Sequence, residues 1–155
     1  MGWLTMSRWE LPLRAATGAF ILNSGLNKRD MPREQAEGLH GFAQIAEVPG
    51  LEQLEPTTFS KLLSASEIGL GAALLAPVVP RQVAGFGLTA FSAGLLRLYW
   101  KAPGMRQEGD VRPTEAGTGM AKDLWMLGIG LSLLLASEHA KAGKHKAIKQ
   151  PRKKR

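Results

Sequence analysis

Residues 114–136, TEAGTGMAKDLWMLGIGLSLLLA, constrain the whole chain. They read as one long apolar helix with a charged pair, Lys122–Asp123, several residues inside its start. Three other stretches share the design: apolar, rich in Gly and Ala, with one or two ionisable residues within them. A surface helix of a soluble protein normally shows a charged face. In 85–96, GFGLTAFSAGLL, no face carries a charge. The expectation is an all-α fold: a four-helix transmembrane bundle built around a polar cluster, with spans at 12–28, 57–76, 82–100 and 114–136.

A soluble four-helix bundle is the rival. The uncharged runs are short, 13 residues at 15–27 and 68–80, 15 at 82–96 and 14 at 124–137, against the roughly 18–20 of an unbroken span. Mean hydropathy is -0.08. Charged side chains at helix ends can reach the interface, however, which extends each span to about 20 residues. Glycine inside the segments suits close-packed membrane helices and weakens soluble ones. These two arguments favour the membrane.

Taken in order, Trp3 and Trp9 suit a membrane–water interface. In the first helix Ala15, Ala19, Asn23 and Asn27 recur every four residues, so they share the face expected to pack on other helices. The first apolar helix is expected to be retained, because no small-residue cleavage site follows a compact apolar run. Residues 29–56 form a polar connection in which Leu39, Phe42, Ala43, Ile45 and Ala46, between Pro32 and Pro49, predict a short amphipathic helix. His40 within it reads as a surface residue. In the second long helix Ser60, Ser64, Glu67 and Gly71 lie on one small, polar face. In the third, Gly87, Ala90, Gly94 and Arg97 form another packing stripe, and Tyr99 and Trp100 an aromatic belt.

The net charge of +7 belongs to the tail: from Glu138 onward there are eight Lys/Arg and one acid, whereas 1–137 balances. The chain therefore divides into a transmembrane domain, 1–137, and a disordered basic tail, 138–155. The tail reads as an anchor on anionic lipid. Nucleic acid is not expected, since no aromatic residue is interleaved with the basic ones. With four spans, the N-terminus, the 78–81 link and the tail share one side with ten Lys/Arg, against six on the other. Both termini are thus expected to be cytoplasmic, in a multi-pass protein of the cell membrane. The absence of cysteine removes disulfides, thiolate catalysis and Cys-ligated metals. The three His are far apart, so no metal site is expected.

At about 1.5 Å per residue, Glu67, Lys122, Asp123 and Asn23 fall at similar depth. They are the candidate ligand or proton site, with Glu67–Lys122 the expected ion pair; Arg14 and Arg97 are secondary. An unpaired charge there would cost at least about 2.5–3.5 kcal/mol, so pairing is expected. The same cluster read blandly is an ion pair that fixes helix register.

The segments LRAATGAFILNSGLNK, LLSASEIGLGAALLAP and GMRQEGDVRPTEAGTGMAKDLWMLGIGL resemble the DoxX-like family of small bacterial four-helix membrane proteins. Arg14 near the start of the first helix, Gly25 and Lys28 at its end, and Glu67 match that family's usual features. The long 29–56 loop and the Lys122-Asp123-x-Trp125 segment depart from its commonest form. The resemblance covers about 10–137. It implies an accessory subunit of a membrane redox assembly, because the namesake is similar to a subunit of a quinone-reducing thiosulfate oxidoreductase and some members associate with redox-defence proteins. A quinone headgroup would suit the cluster: Asn23 and Lys122 could donate to a carbonyl, and Glu67 or Asp123 could relay a proton. No haem or flavin motif is present, so no intrinsic cofactor is expected and an oxidoreductase partner must carry the electrons. The alternatives are a structural or scaffold membrane protein, a small transporter dependent on Glu67, and a soluble basic nucleic-acid binder.

Overall fold

The computed structural model describes residues 6–148, and the side chains of 6–136. Proline sets several helix starts. Pro32 precedes α2 (Arg33–Gln44), Pro56 is the first residue of α3 (Pro56–Leu75), and Pro80 precedes α4 (Arg81–Lys101). α1 is Glu10–Lys28, α5 is the single turn Thr118–Ala121, and α6 is Asp123–Ile148. Outside the helices, the described residues hold a 3-10 turn at Leu51–Gln53 and a lone antiparallel bridge between Arg106 and Pro113. The all-α expectation holds, and so does the short amphipathic helix in the first loop. α2 ends through Glu47, a non-glycine residue at φ 50°.

The long helices associate as two antiparallel pairs, α1 with α3 and α4 with α6. Glycine makes the close approach possible. A Cβ on Gly71 would lie 2.6 Å from the Leu22 nitrogen, and one on Gly130 2.6 Å from Thr89 Oγ1. Ser64 Oγ donates to the Gly25 carbonyl across the first pair at 2.7 Å. The pairs meet over Ile21, Leu74, Ala84, Leu88, Met126 and Leu133. The polar face expected on α3 is the buried one: Ser60, Ser64, Glu67 and Gly71 all face inward.

Two expected faces are corrected. On α1, Ala15, Ala19, Asn23 and Asn27 are exposed, while Arg14, Thr17, Gly18, Ile21 and Gly25 are buried. Both faces carry small residues, but glycine has no Cβ and admits the closer crossing, and Arg14 is drawn to the end of α3. On α4, Gly87 is half-buried and meets Leu70 as a packing position should, but Ala90, Gly94 and Arg97 are exposed, and Ala84, Gly85, Leu88 and Ser92 are buried instead. That rotation sets Gly85 against Gly130 and puts Leu88 in the core.

The segment 114–136 is not one helix. It turns at 114–117, makes the short α5, breaks at Lys122 and restarts at Asp123. Glycines 117 and 119 on the near side of the break weaken a continuous helix. At the far end, α6 continues past residue 138 to Ile148, where a disordered tail was expected. Ala and Lys are good helix formers, and no proline intervenes before Pro151. Residues 149–155 of that tail lie outside the described residues.

One described stretch, Thr118–Ala136, is long and apolar enough by length and composition to cross a membrane, with a mean hydropathy of 1.4 and 22% of it buried. Large apolar side chains point outward from all four long helices, among them Leu11 and Phe20 on α1, Leu62 on α3, Val83 and Phe86 on α4, and Leu124, Trp125 and Leu135 on α6.

Candidate functional site

Ionisable groups are buried at two levels of the bundle. At the end where α3 turns into α4, Arg14 is 1% exposed and caps α3. Its Nε donates to the Leu74 carbonyl at 2.8 Å, and its terminal nitrogens donate to the carbonyls of Ala73, Ala76 and Val79 at 2.9–3.1 Å. Those of Ala73 and Leu74 are carbonyls that a helix C-terminus leaves without intrahelical partners, while those of Ala76 and Val79 belong to the link after it; a cation there also meets the negative end of the helix dipole. Glu10 is fully buried beside it, 3.6 Å from Arg14 and 3.3 Å from Arg81. Arg14 is therefore a structural clamp holding α1, α3 and the link to α4 together.

The second level is the larger. A cavity of about 300 Å³ lies between the helix pairs, and Ser24, Lys28, Glu67, Lys122 and Asp123 supply its polar lining. Phe20, Phe91, Leu95 and Met126 supply much of the apolar wall. Lys28, in the last turn of α1, donates from Nζ to Glu67 Oε2 at 2.9 Å, to Ser24 Oγ at 2.6 Å and to the Ser24 carbonyl at 3.2 Å. The pair is well shielded, with side chains 18% and 5% exposed. Asp123 is 6% exposed in the first turn of α6, where the helix dipole favours a carboxylate. Lys122 is exposed on the outer side, and its ammonium lies over the face of Phe20, 5.1 Å from the ring centroid, a cation–π distance.

Three of the four expected cluster residues, Glu67, Lys122 and Asp123, thus line one cavity. Two expectations about them fail. Asn23 is exposed, and its neighbour Ser24 takes the place facing the cavity; the rotation of α1 that buries Gly18 and Gly25 turns Asn23 outward. The ion pair of Glu67 is with Lys28, not Lys122. Depth counted along helices put Lys122 level with Glu67, but that side chain lies over Phe20. Lys28 carried a signal in its i+4 spacing from Ser24 on the α1 face that also holds Ile21 and Gly25. Of the secondary residues, Arg14 is the buried clamp. Arg97 is outside the site: it is exposed and donates from Nε to the Ala46 carbonyl at 2.7 Å, tying α4 to the end of α2.

His40, expected at the surface, is buried at 6% exposure. Its Nε2 lies 2.9 Å from the Leu51 carbonyl and its ring tilts onto Phe59 at 5.2 Å. It serves to dock α2. Among the described residues no group of His, Asp and Glu is arranged to hold a metal ion. Comparison with models of known families, with curated proteins and with solved structures gives no match for this chain.

Proposed function

We propose that this chain is a multi-pass membrane protein with four spans, of the DoxX-like type, and that its central cavity receives the headgroup of a quinone for a membrane redox assembly. The observation that carries the reading is the meeting of two cations and two carboxylates, Lys28, Lys122, Glu67 and Asp123, on one cavity with aromatic walls. The inverted surface supports the membrane: Phe86 is 68% and Trp125 75% exposed, whereas Glu10, Arg14, Glu67 and Asp123 are buried. A soluble fold leaves few large apolar side chains of this kind outside and pairs or exposes its charges. Intramembrane ionisable groups are functional candidates by default.

The residues fit a flat, neutral, hydrogen-bond-accepting head. Phe20, Phe91 and Met126 offer apolar surface to a ring. Lys122, at the rim, is placed to donate to a carbonyl oxygen. Lys28 fixes one oxygen of Glu67 and so holds that carboxylate at the cavity wall. Glu67 and Asp123 are the groups that can pass a proton to a reduced oxygen. A bound quinone supplies the electron-acceptor chemistry, and a partner oxidoreductase supplies the electrons. On this reading both termini are cytoplasmic and the basic segment after residue 138 rests on anionic lipid.

The test is extraction in mild detergent, with quantitation of co-purifying quinone and protein partners in wild type, Glu67→Gln and Lys122→Met. Quinone retained by wild type and lost in both variants supports the reading. Quinone absent throughout, or unchanged by either substitution, rejects it.

A second reading, a scaffold without a ligand, rests on the geometry of Lys28. All three of its N–H donors are satisfied by Ser24 and Glu67, as a register lock would require. It predicts that Lys28→Met with Glu67→Gln recovers the stability lost in either single variant, with membrane redox activity unchanged.

A further inference from the structure

The central cavity does not stand alone. A chamber of about 290 Å³ in the seam between α1 and α6 shares Phe20, Lys122, Asp123 and Met126 with it. A third chamber of about 350 Å³ lies beneath α2 and shares Phe42, Leu63, Phe91 and Leu95. The seam has a structural cause. Glycine contacts weld α1 to α3 and α4 to α6, but α1 and α6 barely touch. Gly119 and Met120, just before Lys122, line the central cavity as well.

The two apolar chambers differ in how they end. The charged groups of the seam, Lys122 and Asp123, are the ones it shares with the central cavity; Ala16, Thr17, Trp125 and Ile129 in the rest of its lining are uncharged, and the Thr17 hydroxyl is taken up by the Leu13 carbonyl. Phe20 and Trp125, which line the seam, are 52% and 75% exposed on the apolar outer surface. The chamber under α2 also reaches the surface, at Val48, Ala90 and Gly94, but no ionisable side chain lines it. His40 holds α2 to the Leu51 carbonyl, and Arg97 holds the Ala46 carbonyl at its end.

We infer that the ligand of this protein is a single-tailed amphiphile that enters sideways between α1 and α6, seating a small polar head at Lys28, Glu67, Lys122 and Asp123 and leaving its hydrocarbon tail in the seam. A cavity lined by charged groups that continues into an uncharged seam matches such a molecule. Only the nature of the head rests on the quinone reading; the tail and its route rest on the seam.

The test uses the full chain held in amphipol and three probes: a dimethoxy-methyl benzoquinone without a tail, its decyl-tailed form, and dodecanoate. Ala16→Trp fills the seam from an exposed position. Gly94→Leu fills the α2 chamber from a position with no heavy atom within 4 Å of an added Cβ. The tail is expected to tighten quinone binding about tenfold or more, a gain abolished in Ala16→Trp and kept in Gly94→Leu. A gain lost in Gly94→Leu but kept in Ala16→Trp overturns the route. So does the absence of any gain, and if the tailless quinone still binds and Glu67→Gln removes it, the quinone reading survives that result. If neither quinone binds, dodecanoate decides: binding that Ala16→Trp abolishes upholds the lateral seam while the quinone reading falls, and no binding overturns both.

Discussion

Arg14 gives its guanidinium to four main-chain carbonyls, two in the last turn of α3 and two in the link after it. A lysine cannot reproduce that planar set of donors. Arg14→Met leaves those carbonyls and Glu10 without their shared partner, and Arg14→Lys repairs little of the loss. Each is expected to destabilise by about 3 kcal/mol or more, the scale for breaking a buried charged pair, read as a lowered unfolding temperature in detergent. The Lys28–Glu67 pair behaves differently because it can be removed whole. Lys28→Met or Glu67→Gln alone should cost about 3 kcal/mol, and the double variant should recover most of it. Lys122→Met combined with Glu67→Gln should show no such recovery, because Lys122 sits on Phe20 and not on Glu67.

Between elements, glycine sorts into positions that touch and positions that do not. Gly71→Ala and Gly130→Ala each drive a Cβ to 2.6 Å from a neighbouring helix, so they should separate a helix pair and lower thermal stability by several degrees. Gly69→Ala and Gly128→Ala meet nothing within 4 Å and should be neutral or stabilising by up to about 1 kcal/mol. The end of α2 carries a pH dependence. Lys101 donates a hydrogen bond to the Glu47 carboxylate and its charge lies alongside, which together hold that carboxyl below the usual range. The pair's contribution is therefore fully present above the unfolded carboxyl value, about 4.3, and is lost as pH falls through the lower folded value. Amide protection of residues 45–47, corrected for intrinsic exchange, should fall over that acid window in wild type and lose its pH dependence in Lys101→Met.

For the whole molecule, the four-span proposal has a direct readout because the chain contains no cysteine. Single cysteines at Gln53 and Gln107, both in the connections at the α2 end, should react from the same side of a sealed membrane. One at Val78, in the link between α3 and α4, should react from the opposite side. Labelling of all three from one side, or release of the protein by alkaline carbonate, rejects the four-span arrangement. The seam belongs to this scale too, since it arises from how the pairs are joined and not from any one helix.

The sequence by itself located α1 to α4 and the apolar part of α6 and showed which of them carry buried charge. Prolines marked the starts of α2, α3 and α4, the spacing of Ser60, Ser64, Glu67 and Gly71 marked the inner face of α3, and Glu67 and Asp123 marked the level of the site. These are local properties, set by backbone restriction and by a period of 3.6 residues. Helix rotation and partner choice were decided only by the tertiary structure. α1 and α4 each carry two small-residue faces, and which one packs depends on the surface that meets it, so Asn23 turned out and Ser24 in. The partner of Glu67 depended on the reach of a side chain from another helix, and the break at Lys122 is one that periodicity does not encode. The helix after residue 138 completes the contrast: charge density suggested disorder, whereas the propensity of Ala and Lys carries the backbone of α6 on to Ile148.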